Sequence, residues 1–194
     1  MRTKKIFIFV GNPDKESLSG AFAEAYARGA RATGHEVRVT YISDMRFDPI
    51  LHRGYKAIQD LEPDLVTFQN DVRWCEHFVS IFPVWWSDMP ALMKGLVDRA
   101  WMPGFAFNFR KGLIPGWIRR LRGRSARVIV TSDTHPCLLW ILFGGNINNW
   151  VRGVLRFSGF APVRKTWFSS MRGVSPERAG KLIARVERLG RKGR

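Results

Sequence analysis

The stretch KKIFIFVGNPDKESLSGAFAEAYARGARATG, Lys4 to Gly34, decides the fold. Its first part, Lys4–Asn12, is a continuous apolar run ending at Gly11 and Asn12, the pattern of a strand buried on both faces of a sheet. A polar loop follows. Then Leu18, Phe22, Ala25, Tyr26 and Gly29 recur at helical spacing until Gly34 stops the helix. Glu36–Ser43, EVRVTYIS, supplies the next strand, so strand, loop, helix and strand begin a parallel sheet.

The alternation continues along the chain. PDLVTFQNDVRWCEH places Pro63 in a first helical turn, with Leu65, Val66, Phe68, Val72 and Trp74 on an apolar side. HFVSIFPVWW is a third strand that Pro83 terminates, because proline donates nothing to a ladder. MPALMKGLVDRAW reads as a short helix, Ala126–Asp133 as a fourth strand, NINNWVRGVLRFSG as a helix and VRKTWFSS as a fifth strand. SPERAGKLIARVERLG closes as a helix with Ser175 at its cap and Pro176 behind it. Five strands alternating with helices predict one α/β domain over residues 1–194, an open doubly wound parallel sheet with helices on both faces. Ligands of such sheets sit beyond the carboxyl ends of the strands. Function is therefore expected in Asn12–Ser19, Pro83–Met89 and Thr131–Pro136.

Bulk properties agree with this picture. The 194 residues are 45% hydrophobic, enough for a sizeable core, and no low-complexity tract interrupts them. The net charge of +16 favours polyanions, anionic lipid headgroups or phosphorylated small molecules. Arginines gather in Trp117–Arg127 and Arg185–Arg194, where a solvated face is the plain alternative to a binding surface. The basic start and short apolar run of the first residues resemble a signal peptide but stop too soon and lack a cleavage site, so a first strand is the expectation. Cys75 and Cys137 form neither a disulfide framework nor a CxxC pair, which points to a reducing cytoplasm, and Leu138, Leu139 and Trp140 predict a buried, inert Cys137. His35, His52 and His77 are scattered, and no metal site is expected.

The first edge loop has neither GxGxxG nor GxxxxGK[ST], which argues against Rossmann-type dinucleotide and nucleoside-triphosphate sites. It offers Asn12, Ser17 and Ser19 at a helix N-terminus, suited either to a phosphate or to simple capping by Ser17. After the third strand, Trp85 and Trp86 stand where the sheet ends. Large flat side chains there suit a large flat ligand, unless they fill the seam between helix and sheet.

At Phe82–Phe107, FPVWWSDMPALMKGLVDRAWMPGFAF, the chain resembles the flavodoxin-like NAD(P)H:quinone oxidoreductases of the flavodoxin-2 type. That family carries a Phe-Pro-aliphatic-aromatic-Trp loop, then Met-Pro, Lys-Gly, Asp-Arg and a Pro-Gly-Phe-Ala-aromatic end. GNPDKESLS is similar to the family's first loop, with Asn12 where a histidine is common. The resemblance implies a flavodoxin-like fold and a flavin, FMN or FAD, at the carboxyl edge. It implies Asn12, Ser17, Leu18 and Ser19 at the phosphate, Pro83, Val84, Trp85 and Trp86 flanking the ring, and Thr131 and Ser132 in the loop after strand four. Phe105, Phe107 and Phe109 resemble the segment lining the substrate pocket of the neighbouring subunit of a homodimer, with core packing as the alternative. Two departures stand out. Asp133 and Thr134 occupy the family's Gly-Gly positions, Gly144 and Gly145 coming later, and the tyrosine and histidine that assist hydride transfer in some members have no counterpart.

The implied activity is hydride transfer from NAD(P)H to flavin N5 and then two-electron delivery to a quinone or similar acceptor, with azo, nitro or flavin reduction as variants. His135 is the histidine near this edge, either a hydrogen-bonding partner of flavin or quinone or a loop histidine without such a role. A third possibility is an accessory subunit of a membrane transport protein. The apolar CLLWILFGGN beside basic WIRRLRGRSAR would fit peripheral contact with an anionic membrane. No nucleic-acid reading motif is present, and basic charge alone supplies only non-specific affinity.

Overall fold

The computed structural model describes residues 2–110, 116–143 and 147–194. Gly144 and Gly145 lie outside the described residues. Strands β1 (Lys5–Val10), β2 (Glu36–Tyr41), β3 (His77–Pro83), β6 (Ser125–Thr131) and β7 (Val163–Phe168) form a five-stranded sheet in the order β2-β1-β3-β6-β7. Every pairing in it is parallel. The chain steps from β1 outward to β2, then returns past β1 to β3 and proceeds the other way. The switch point therefore falls between β1 and β3, at the carboxyl edge where the predicted loops emerge.

Each central strand is buried on both faces, and its period of two sends alternate residues to two separate cores. Phe7, Phe9, Phe78 and Phe82 face α2 (Pro63–Trp74), α3 (Ala91–Ala100) and a π-helical segment, Asn149–Arg156. Ile6, Ile8, Val10, Val79 and Ile81 face α1 (Leu18–Arg31) and α5 (Pro176–Arg191). The first core is aromatic. Trp101 and Trp150 meet edge to face at 5.5 Å, and Phe78 packs on both. Their indole N–H groups would be costly if buried without an acceptor. Trp150 donates to Ser80 Oγ at 2.8 Å, and Trp101 to Ser158 Oγ at 2.7 Å.

The predicted sheet and its five flanking helical segments are present, and the differences are instructive. On α2, Leu65, Phe68 and Val72 face the core, but Val66 is exposed, one residue off that stripe. The segment expected as an ordinary helix over NINNWVRGVLRFSG is π-helical at Asn149–Arg156, which aligns Trp150 and Leu155, five residues apart, on the buried side. A hairpin of β4 (Phe107–Phe109) and β5 (Trp117–Arg119) was not expected, since three-residue strands are too short to show a period. Nor was α4 (Pro136–Phe143), whose apolar run has no polar face to betray a helix. Cys137 on α4 is exposed, correcting the expectation of burial. Its apolar neighbours Leu138 and Trp140 are themselves exposed, and only Leu139 of that trio turns inward. Cys75 is buried, and loss of hydration pushes its thiol pKa up to about 12.

Candidate functional site at the carboxyl edge

The loop after β3 forms a tight turn. Val84 N–H donates to the Thr131 carbonyl at 2.8 Å, continuing the β3–β6 ladder by one residue. Trp85 and Asp88 then exchange backbone hydrogen bonds, with Trp86 at φ 48° and Ser87 at φ 64° between them. Positive φ at both central residues is the geometry of a primed hairpin turn, normally the province of Asn and Gly. Asp88 holds the turn in place. Its Oδ1 accepts from Met89 N–H at 2.8 Å and its Oδ2 from Asn149 Nδ2 at 3.3 Å. Trp86 is consequently fully exposed and Trp85 46% exposed, so neither fills the seam between helix and sheet.

This turn forms one wall of a cleft of about 780 Å³. Val84, Trp85, Trp86 and Leu139 make it apolar, while Ser87, Ser132, Asp133, Thr134 and Arg172 supply its polar rim. A volume of that size with apolar walls and few polar groups is what a flat cofactor-sized ligand needs. Asp133 and Thr134, at the positions of the family's two glycines, line the far wall, and Asp133 Oδ2 pairs with Arg172 Nε at 3.4 Å. Ser132 is locked. It donates from Oγ to the Thr134 carbonyl at 2.7 Å, and the same oxygen accepts from Trp167 Nε1 at 2.7 Å.

The loop after β1 stands at the same edge but outside that cleft's lining. Asn12 is buried and its Oδ1 accepts from Asp14 N–H at 3.0 Å, and Asp14 Oδ1 accepts from Glu16 N–H at 2.9 Å. Capping by Ser17 is not what the structure shows. Its hydroxyl donates to the Asp14 carbonyl at 2.6 Å and makes no cap to α1, because the two nested turns bring that carbonyl to it first. Ser19 is buried and Leu18 half-buried in the first turn. Gly20 is required there, since a Cβ would run into the Lys15 carbonyl oxygen.

The remaining predicted residues scatter. Phe105 is buried against Trp101 at 5.6 Å, Phe107 is half-buried, and Phe109 stands exposed on the hairpin. Phe107 also packs edge-on against Phe157 at 4.9 Å. His135 turns to its own helix, its Nδ1 accepting from Cys137 N–H at 3.3 Å, and it is not part of the cleft lining. Sequence reasoning missed Leu139 and Arg172. Arg172 was discoverable from topology, because β7 neighbours β6 and its loop must reach the same edge. Ser170 N–H donates to the Asp133 carbonyl at 3.1 Å, and Met171 N–H to the Ser132 carbonyl at 3.3 Å.

The fold order and an edge cleft flanked by aromatic side chains define the class of protein as flavodoxin-like. Residues 4–191 match the family described as having a flavodoxin-like fold, and the chain belongs to it. It is 27% identical over 180 residues to NAD(P)H dehydrogenase [quinone] 1 of Cavia porcellus, covering 81% of this chain and 65% of that protein. It is 28% identical over 152 residues to a ribosyldihydronicotinamide dehydrogenase-like protein of Penicillium crustosum, covering 66% and 57% respectively. The chain thus spans about three-fifths of the length of these curated relatives. Among solved structures, the Smu.1420 protein of Streptococcus mutans superposes with a TM-score of 0.80 at 25% identity, covering 97% of this chain and 99% of that one.

Proposed function

We propose that this chain is a flavin-dependent NAD(P)H oxidoreductase that reduces quinones or similar acceptors by two electrons. The observation that carries the reading is the Trp85–Asp88 turn, which holds two indoles at the mouth of a cleft at the switch-point edge. Family membership and the quinone dehydrogenase relative support it. A bound FMN or FAD would supply the redox chemistry, taking a hydride from NAD(P)H and passing two electrons to the acceptor.

The chain's own residues bind and position. Pro83, Val84, Trp85 and Trp86 flank the ring and keep water from its face. Val84 N–H is already committed to the Thr131 carbonyl, so hydrogen bonds to the ring's polar rim fall to the turn tip at Trp86 and Ser87. Thr131 and Ser132 shape the opposite wall through backbone, the Ser132 hydroxyl being committed elsewhere. Asn12, Ser17, Leu18 and Ser19 present the N-terminus of α1 to a phosphate, Asn12 and Ser17 by shaping the loop and the first-turn N–H groups by donating. The protein works as a homodimer in the cytoplasm as one flavin-binding domain, with Phe107 and Phe109 projecting toward a neighbour's substrate and Phe105 supporting them from the core. His135 is a helix-capping residue in this reading, which leaves proton delivery to solvent or to the acceptor.

An absorbance spectrum of the purified protein, mass analysis of the released chromophore and anaerobic bleaching with NADH and with NADPH test this directly. A panel of quinone, azo and nitro acceptors then ranks the substrates. A colourless protein that takes up neither FMN nor FAD ends the reading.

A further inference from the structure

Among the described residues that line the cleft at the carboxyl edge, two are charged, Asp133 and Arg172, and they stand against each other. The chain carries 32 basic residues against 16 acidic ones, so its long-range field draws anions in. A carboxylate in the cleft wall works against that field at short range.

The two groups are held differently. The backbone at Asp133 is tied to the loop after β7. Its carbonyl accepts from Ser170 N–H at 3.1 Å, the Ser132 carbonyl accepts from Met171 N–H at 3.3 Å, and Ser132 N–H donates to the Phe168 carbonyl at 3.0 Å. The Ser132 hydroxyl links Trp167 Nε1 to the Thr134 carbonyl on the other side. Arg178 on α5 braces the facing loop, donating to the carbonyls of Ser169 at 2.9 Å and Ser170 at 3.1 Å. A short side chain on so constrained a backbone keeps its carboxylate in the wall. Arg172 instead reaches in on a long stem, is 89% exposed along its side chain, and meets Asp133 Oδ2 through Nε at 3.4 Å. So exposed a contact is readily exchanged for a ligand anion. The guanidinium follows such a ligand, and the carboxylate does not.

We propose that Asp133 is a specificity-determining residue of the cleft, selecting neutral acceptors over anionic ones, with Arg172 as the exchangeable counter-charge that moderates the selection. The inference rests on the oxidoreductase reading, since an acceptor must enter this cleft to reach a flavin there. A neutral ring meets Trp85, Trp86 and Leu139 and leaves the ion pair intact. An acceptor with its own carboxylate must break the pair to be neutralised, and it then lies beside an unpaired Asp133. Repulsion between like charges in a partly dry cleft discriminates against it. The nicotinamide co-substrate carries its charge on phosphates several bonds from the reacting ring, so its ring enters as a neutral group.

The test compares a methylnaphthoquinone bearing a hydroxypropyl chain with the same quinone bearing a carboxyethyl chain, which are alike in ring and reach and differ in charge. Within each variant the readout is the ratio of kcat/KM for the carboxylate to kcat/KM for the alcohol, so a general loss of activity cancels. Calorimetry of both compounds with the oxidised, flavin-loaded full chain, without nucleotide, gives the same ratio as affinities and needs no turnover. D133N, which preserves shape, should raise both ratios by about tenfold, and D133E should hold them near the wild-type value. R172Q should lower them by about threefold, and salt should shrink these differences. Ratios that D133N leaves unmoved overturn the proposal. So do ratios that D133E shifts as far as D133N, because shape and not charge would then be responsible. A full chain that takes up no flavin, evident from its spectrum before any acceptor is added, ends the oxidoreductase reading and this inference with it. A flavin-loaded protein with charge-blind ratios ends this inference alone.

Discussion

Trp85 and Asp88 donate to each other's backbone carbonyls, both at 2.9 Å, and this reciprocal pair fixes Trp86 outside the protein. The two residues between them adopt left-handed backbone that costs a non-glycine residue on the order of 1 kcal/mol. Such strain at a ligand edge is retained where the side chain has a use. Trp86, which buries nothing in the chain, is best explained by what it would cover.

Ser87→Gly should stabilise the fold by about 0.5–1 kcal/mol, the relief of left-handed strain being partly offset by glycine's greater freedom when unfolded. Trp86→Gly should do the same while weakening flavin affinity. Denaturant midpoints and flavin titration read the two effects separately. A Trp86→Gly protein that keeps wild-type flavin affinity would remove the indole from the proposed site.

Ser80→Ala leaves the Trp150 indole N–H buried without its acceptor. A loss of about 1–3 kcal/mol is expected. Trp150→Phe in the same background should recover part of it, because the orphaned donor is then gone. A double-mutant cycle in denaturant measures the coupling.

His77, the first residue of β3, is buried, its Nδ1 bonded to Ser125 Oγ at 2.8 Å and its Nε2 without a partner. Burial, then the charges of Lys4, Arg127 and Arg164, lower its pKa from 6.5 to about 3. The unfolded chain takes up this proton below pH 6.5 and the folded one does not until about pH 3, so stability falls as pH drops through that window. His35, lowered by burial and by Lys4, acts in the same direction. Between pH 7 and pH 5 the His77 contribution amounts to about 2 kcal/mol. Urea denaturation at the two pH values should show it, and His77→Asn should flatten the difference by that amount.

Arg172 is exposed and pairs with Asp133 at the rim of the cleft. Arg172→Ala should change stability by less than about 0.5 kcal/mol, as for other solvent-exposed pairs. On the proposed oxidoreductase function its effect lies in binding, raising KM for an anionic nicotinamide co-substrate with little change in kcat. Steady-state kinetics with NADH and NADPH would show whether the guanidinium meets a phosphate they share or the additional one of NADPH.

The order of the five sheet strands and the five helical segments between and after them, the two-faced burial of β1, and the position of the edge loops were legible in the chain, because periodicity is a local property of sequence. The tryptophan pair after Pro83 was legible too, as residues whose size needed an explanation at a sheet end. What the pair does with its side chains was not. Trp86 stands outside because Asp88 closes the turn and Asn149, 61 residues further on, anchors Asp88. Ser132 lost its hydroxyl to Trp167, and Ser17 to the Asp14 carbonyl, partners that spacing alone does not choose. Cys137, Leu138 and Trp140 were expected inside on hydrophobicity, yet the core is already filled by Trp150, Trp101 and the phenylalanines of β1 and β3. Sequence settles which residues favour burial. Only the tertiary structure, by allotting a finite interior and a finite set of hydrogen-bond acceptors, decides which of them obtain it and which remain at the surface to meet something else.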